Sequence, residues 1–212
     1  MIFDMDGTMI DNMPYHNKAF CELHKRYNVP MADDFLPRTS GKTNNDIMPM
    51  IFGAGLSDEK IAELAHEKES LYRELYRPHM KLVKGLSELL EELSSQGIPM
   101  CVGSSAPDEN IDFVMNGLNI RRYFKAVINS SQITQGKPHP EVFLKAAAAM
   151  HLAPEQCVVV EDAVLGIEAA RNAGMAVVAI STIMPPERLQ HADMVIKDFT
   201  EVNVFTFENL LN

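Results

Sequence analysis

The sequence predicts a doubly wound α/β fold: a parallel sheet with helices on both faces and a small helical insert after its first strand. Three observations lead there. Short apolar runs that end in polar or acidic residues alternate with amphipathic stretches over most of the chain, and that alternation builds right-handed βαβ units. The segment 14–79 breaks the rhythm, holding helical patterns and no buried-strand run. The length of 212 residues suits one large domain or a domain with an insert.

In chain order, Met1-Ile2-Phe3 is the first apolar run, ahead of Asp4; either this strand is short or the chain lacks residues at its start. Within the insert, helical patterns at 15–27 and 57–76 flank a polar stretch at 30–45. The βαβ rhythm resumes near Leu82. Leu86, Leu89, Leu90 and Leu93 line one face of a helix over 85–95. Strands follow at 99–103, 126–128, 157–160, 176–180 and 194–196, with helices at 108–116, 140–150 and 164–173 between them. Near-continuous apolar runs of this length read as strands covered on both faces. The expected organisation is a Rossmann-like core from 1–13 plus 80–212, with the insert at 14–79. In such sheets ligands bind beyond the carboxyl ends of the strands.

Composition narrows the function. Nineteen Lys and Arg against 29 Asp and Glu give a net charge of −10, with 46% hydrophobic and 23% charged residues. An acidic chain without a basic stripe is not expected to bind nucleic acid. No run approaches a membrane span, and without a basic-then-apolar stretch no signal segment is expected. Cys21, Cys101 and Cys157 are scattered, without the pairing of a disulfide framework or a zinc site. The expectation is an acidic, cytoplasmic monomer with reduced cysteines.

Asp4-Met5-Asp6-Gly7-Thr8 places two carboxylates two residues apart just past a strand. Positions i and i+2 of a strand share a face, so Asp4 and Asp6 point into one pocket. Two acids so close repel, unless a divalent cation sits between them or one keeps a proton. A polar strand end with an Asp-Gly turn is the plainer reading. Glu161-Asp162 ends the apolar run Cys157-Val158-Val159-Val160. Asp162 alone would also serve as the N-cap of the helix beginning near Ala163. Beside Asp4 and Asp6, it completes a cluster of hard oxygens suited to Mg²⁺.

Ser104, followed by Ser105, sits at a strand-to-helix turn whose hydroxyl and amides suit a phosphate oxygen. Lys137, in Gly136-Lys137-Pro138-His139-Pro140, precedes a helix whose entry two prolines stiffen. Gly41-Lys42-Thr43 is not a P-loop, because Leu36 stands where that motif needs Gly and no buried strand precedes it. His139 is read as shaping its Pro-rich turn, and His24, His66, His79, His151 and His191 as surface residues.

In this order, Asp4-Met5-Asp6-Gly7-Thr8, Ser104, Lys137 and Glu161-Asp162 resemble the four motifs of the haloacid dehalogenase superfamily, over essentially the whole chain. The insert is similar to that superfamily's helical cap. Gly136-Lys137-Pro138-His139-Pro140 and Glu161-Asp162-Ala163-Val164-Leu165-Gly166-Ile167 resemble the branch that holds β-phosphoglucomutase and sugar-phosphate phosphatases. The resemblance implies that Asp4 is a nucleophile forming an aspartyl-phosphate and that Asp6 is the general acid and base. It implies Mg²⁺ held by the Asp4 carboxylate, the Asp6 carbonyl and Asp162, with Glu161 nearby. Ser104, Lys137 and the metal would share the phosphoryl charge. Asn12, His16, Gly41, Lys42, Lys68 and Ser105 would face the substrate, a small phosphorylated metabolite such as a sugar phosphate.

The acceptor then decides the activity: water makes a phosphatase, a sugar hydroxyl a mutase. Tyr15-His16, and Lys68 ahead of Tyr72, resemble the mutases. Against that, the loop 41–45 lacks the Arg with which the mutases grip a distal phosphate, and Ala106-Pro107-Asp108 replaces their Ser-Lys-Asn. Lys42 copies a bidentate grip only as a point charge. The expectation is a phosphatase, with a β-phosphoglucomutase-type phosphohexomutase as the alternative. A non-enzymatic phosphosugar sensor is disfavoured, because Asp4 and Asp6 are both present.

Overall fold

The computed structural model describes residues 1–39 and 42–211. Six strands form one parallel sheet: β1 (Ile2–Phe3), β2 (Cys101–Gly103), β3 (Ala126–Ile128), β4 (Val158–Glu161), β5 (Ala176–Ile180) and β6 (Met194–Ile196), in the order β3-β2-β1-β4-β5-β6. Register is set by pairs such as Ile2 with Cys101 on one side and with Val159 on the other. The order reverses between β1 and β4, which is where doubly wound sheets bind their ligands.

The sheet shows why its strands are apolar throughout. Successive side chains point to opposite faces. Phe3, Val158, Val160, Val178 and Ile180 pack on one side with helices α5 (Leu86–Ser95), α6 (Asp108–Gly117) and α9 (Val204–Leu210). Ile2, Val159, Val177 and Ala179 pack on the other with α7 (Glu141–Met150) and α8 (Val164–Asn172). Both faces are covered, so alternation gives way to continuous runs.

Among the described residues, four helices come between β1 and α5: α1 (Met13–Arg26), α2 (Phe35–Thr39), α3 (Asn44–Phe52) and α4 (Asp58–Tyr76). They share an apolar cluster of Phe20, Leu23, Phe35, Ile47, Met48, Ile51 and Leu64. Ile10 bridges Leu82 in antiparallel fashion, so the segments entering and leaving this helical unit run side by side.

Two sequence expectations are corrected here. The polar stretch 30–45 is not a plain connection: it holds α2 and the start of α3. A five-residue helix is too short to show a period, and Pro49 inside α3 masks its pattern. The start of α3 is nonetheless marked by a Thr43–Asp46 capping box. His24, expected at the surface, is buried; its Nδ1 lies 3.1 Å from the Val29 carbonyl and its ring packs edge-on against Phe35. No helix among the described residues is long and apolar enough to cross a membrane.

Candidate active site

The carboxyl ends of β1, β2 and β4 bring most of the sequence candidates together. The ladder extends one residue past β1, since the Asp4 amide donates to the Val160 carbonyl at 3.0 Å. Gly7, at φ +80°, then turns the chain, and a Cβ there would lie 2.3 Å from Asp162 Oδ2. Only glycine combines that backbone with that approach. Past β2, the Ser104 amide donates to Ile128 O at 2.9 Å and its Oγ accepts from Ala106 N at 3.1 Å. The Ser104 hydroxyl hydrogen is thus left to point elsewhere. At β4, Ala163 N donates to Glu161 Oε2 at 2.8 Å, and Thr8 Oγ1 donates to Asp162 Oδ1 at 3.3 Å. Ala163, not Asp162, is the N-cap residue of α8, so the capping alternative for Asp162 falls away.

Asp4, Glu161 and Asp162 are all buried, and one ligating oxygen from each lies within 4.8 Å of the others. Lys137 reaches in from the loop before α7, its Nζ 2.6 Å from Asp4 Oδ1 and 2.5 Å from Glu161 Oε1. Burial, then the charges of Glu161 and Asp6, push the Asp4 carboxyl up to about 8 against the pull of Lys137. Burial, then Glu161 and Asp4, raise Asp162 as well. Lys137 is itself raised, since Asp4 and Glu161 outweigh the burial that disfavours its charge.

When all three carboxyls are ionised, as a bound cation favours, the one ammonium leaves two negative charges, the complement of a divalent cation. All the donors are oxygens, the ligand type that Mg²⁺ takes. A Cβ at Gly166 would fall 1.8 Å from Glu161 Oε1, so the first turn of α8 also makes room for this cluster. The residues present fit the metal.

Opposite the cluster, α1, α4 and the segment before α3 close a cavity of about 80 Å³, whose lining includes Asp4, Asp6, His16, Lys42, Lys68 and Ser105. Lys68 Nζ lies 2.7 Å from His16 Nδ1. An ammonium only donates, so Nδ1 accepts and the ring hydrogen sits on Nε2. That nitrogen is buried, has no hydrogen-bond partner among the described residues, and lies 3.7 Å from Asp6 Oδ1. Tyr72 stacks on the imidazole at 3.7 Å and fixes its plane. Lys42 and Ser105 are half-buried in the cavity wall.

Asn12, expected to face substrate, stands behind Asp6 instead. Fully buried, it donates to Asp6 Oδ1 at 2.5 Å and to the Tyr72 hydroxyl at 2.6 Å, and it accepts from Gly7 N at 3.1 Å. Gly41 lies outside the described residues. Sequence reasoning passed over Glu69, Asn44 and Asn110, which also line the cavity. Nothing in their spacing singles them out, because α3, α4 and α6 meet only in the folded chain.

The family model described as haloacid dehalogenase-like hydrolase matches residues 1–180. The chain belongs to this family. Among curated relatives, the validoxylamine A 7'-phosphate phosphatase of Streptomyces hygroscopicus subsp. limoneus is 31% identical over 95% of this chain and 94% of its own. The fructose-1-phosphate phosphatase of Escherichia coli is 32% identical over 85% of this chain and 95% of its own. Among solved structures, the β-phosphoglucomutase of Clostridium difficile is 26% identical and covers 100% of this chain and 96% of its own, with a TM-score of 0.89. This haloacid dehalogenase-like hydrolase is thus similar along its length to phosphatases and to a mutase built on the same fold.

Proposed function

We propose that the protein is a Mg²⁺-dependent phosphatase of a small sugar phosphate that works through an aspartyl-phosphate on Asp4. The observation that carries the reading is the convergence of Asp4, Asp6, Ser104, Lys137 and Asp162 on one cavity at the strand ends. Asp4 and Asp162, the Asp6 carbonyl and nearby Glu161 would hold Mg²⁺, which supplies Lewis-acid stabilisation of phosphoryl oxygens when bound. The Asp4 carboxylate attacks phosphorus, and the bond to the sugar oxygen breaks. Asp6 gives that oxygen its proton, then takes one from the water that cleaves the acyl phosphate. Asn12, at 2.5 Å, holds the Asp6 carboxyl in the orientation this requires. Lys137 balances charge on Asp4, and the Ser104 hydroxyl donates to a phosphoryl oxygen. The Nε2 hydrogen of His16 is aimed at Asp6 and the leaving oxygen.

The same reading makes residues 14–79 a cap over a core of 1–13 plus 80–212. The helical unit supplies the substrate-facing wall and the strand ends supply the reacting groups. A closed cap excludes water from charged chemistry that a low dielectric strengthens.

A phosphohexomutase is the second reading, favoured by the Lys68–His16 contact at 2.7 Å and by the likeness to the clostridial β-phosphoglucomutase. One experiment separates the two: a panel of sugar monophosphates with Mg²⁺ or EDTA, including β-glucose 1-phosphate with a bisphosphate primer. Stoichiometric release of inorganic phosphate is expected, abolished by EDTA and restored by Mg²⁺, with little 6-phosphate formed. Fast isomerisation with little phosphate released would establish the mutase, and full turnover in excess EDTA would sink the metal.

A further inference from the structure

We propose that Glu69 is a specificity-determining residue that restricts the cavity to monophosphates of neutral polyols and excludes esters carrying a second anion; this rests on the phosphatase reading above. The polar groups of the cap wall are arranged around this carboxylate. Glu69 Oε1 accepts from Lys68 Nζ at 2.8 Å and from Asn44 Nδ2 at 2.8 Å, and Oε2 accepts from Asn110 Nδ2 at 2.7 Å. Its side chain is 6% exposed. Burial would push the carboxyl up, but the Lys68 charge, with hydrogen bonds from Lys68 and Asn110, holds it at about 2, so it stays charged over the whole working range.

The consequence falls on Lys68, the buried cation of the helical wall. Its ammonium is shared between Glu69 and His16 Nδ1, and it sits 4.3 Å over the Phe20 ring. Its charge is therefore cancelled before any ligand arrives. A second phosphate entering this wall meets a buried carboxylate and a spent ammonium. In a low-dielectric site, a like charge without a free counter-ion is expensive. Lys42, half-buried and wetted, offers only a screened point charge in return. What the wall does offer is hydrogen bonding, from Asn17 and from the second amide hydrogens of Asn44 and Asn110, whose first ones go to Glu69; Asn110 also accepts from Arg73. Hydroxyls of a neutral leaving group pair with such amides, whereas an anion gains little from them and still faces Glu69. Rejection by a charge built into the site adds to whatever the preferred ligand gains.

The test compares phosphate release from β-glucose 1-phosphate and from β-glucose 1,6-bisphosphate. The wild type is expected to prefer the monophosphate by about tenfold or more in kcat/KM. Glu69→Gln should cut that preference about tenfold, chiefly through a lower KM for the bisphosphate, whereas Glu69→Asp, which keeps the charge, should retain the preference even if slower. A wild type that does not discriminate overturns the proposal. So does a Glu69→Gln variant that loses activity equally on both esters, which would make Glu69 an anchor for α4 on α6 and nothing more. Binding of both esters to the Asp4→Asn protein, measured by calorimetry, keeps the question open to refutation if Glu69→Gln fails to fold. Equal affinities there overturn the charge selection alone, whereas absence of phosphate release from every monoester overturns the phosphatase reading.

Discussion

At the strand ends, Asp4 and Asp162 lie among like charges and are pushed above the ordinary carboxylate range, Asp4 to about 8. Across the cavity, Glu69 is buried as thoroughly, yet it is held down at about 2 by Lys68 and Asn110. Burial opposes charge in both places, so the difference lies in the partners. The helical wall is electrically complete as folded. With its carboxyls ionised, the strand-end wall is short of two positive charges, and that deficit is one a divalent cation would fill. The wall proposed to react keeps its imbalance for a cation, and the wall proposed to select spends its charges on itself.

The sharpest way to break this contrast is to remove the carboxylate proposed as the nucleophile. Asp4→Asn is expected to lower phosphate release by about four orders of magnitude or more. The side chain is nearly isosteric and one repelling charge is gone, so the melting temperature should equal or exceed that of the parent. Substantial residual turnover would mean that water attacks phosphorus directly.

A smaller effect separates the two walls by pH. Asp4 titrates from 3.8 in the unfolded chain to about 8 in the folded one, so the folded state binds its proton more tightly. Its contribution to stability is complete at low pH and is lost as pH rises from about 4 towards 8. Glu69 goes the other way, from 4.5 to about 2, and its contribution is present above 4.5 and lost as pH falls towards 2. The melting temperature without metal should therefore peak at about pH 4 to 5 and decline on both sides, with Mg²⁺ recovering most at the alkaline end. A metal-free midpoint that climbs steadily from pH 4 to pH 8 would contradict the charge deficit assigned to the strand ends.

The smallest expected change is at the wetted edge. Lys42→Ala should raise KM for a sugar monophosphate about threefold and leave the product the same, because a half-exposed ammonium is screened by solvent. A loss of a hundredfold would place Lys42 on the phosphate and weaken the argument that its charge is dispersed.

How far the sequence reads through to this picture follows the same division. Asp4 and Asp6 declare themselves, because residues two apart on a strand share a face and Gly7 marks the turn that follows. Glu161 and Asp162 are legible as acids ending an apolar run. These signals are local, and the sheet order that joins them is the usual one for alternating strands and helices. The opposite wall is written in contacts between α3, α4 and α6, so Glu69 looks like any charged residue of an amphipathic helix. Asn12 was legible as a polar residue near the site, but not as the support behind Asp6, since its partner Tyr72 lies 60 positions away. His24 reads as a surface residue because what covers it, the turn at Val29 and Phe35 of α2, leaves no period in the sequence.

The position of β1 sets an order of assembly. It precedes the other five strands of the sheet in the chain and lies near the middle of that sheet, with Ile2 paired to Cys101 on one side and to Val159 on the other. Through all the synthesis that separates those two partners, Asp4 sits on a strand with one edge bare, and until Cys101 emerges it has no neighbour at all. The helices α1 to α4 need only one another to bury Leu23, Met48 and Leu64, and their contacts are close in sequence. The helices α1 to α4 can thus bury their shared core early, whereas Asn110, which completes the setting of Glu69, and the residues proposed to react come together only later, when most of the polypeptide has been made.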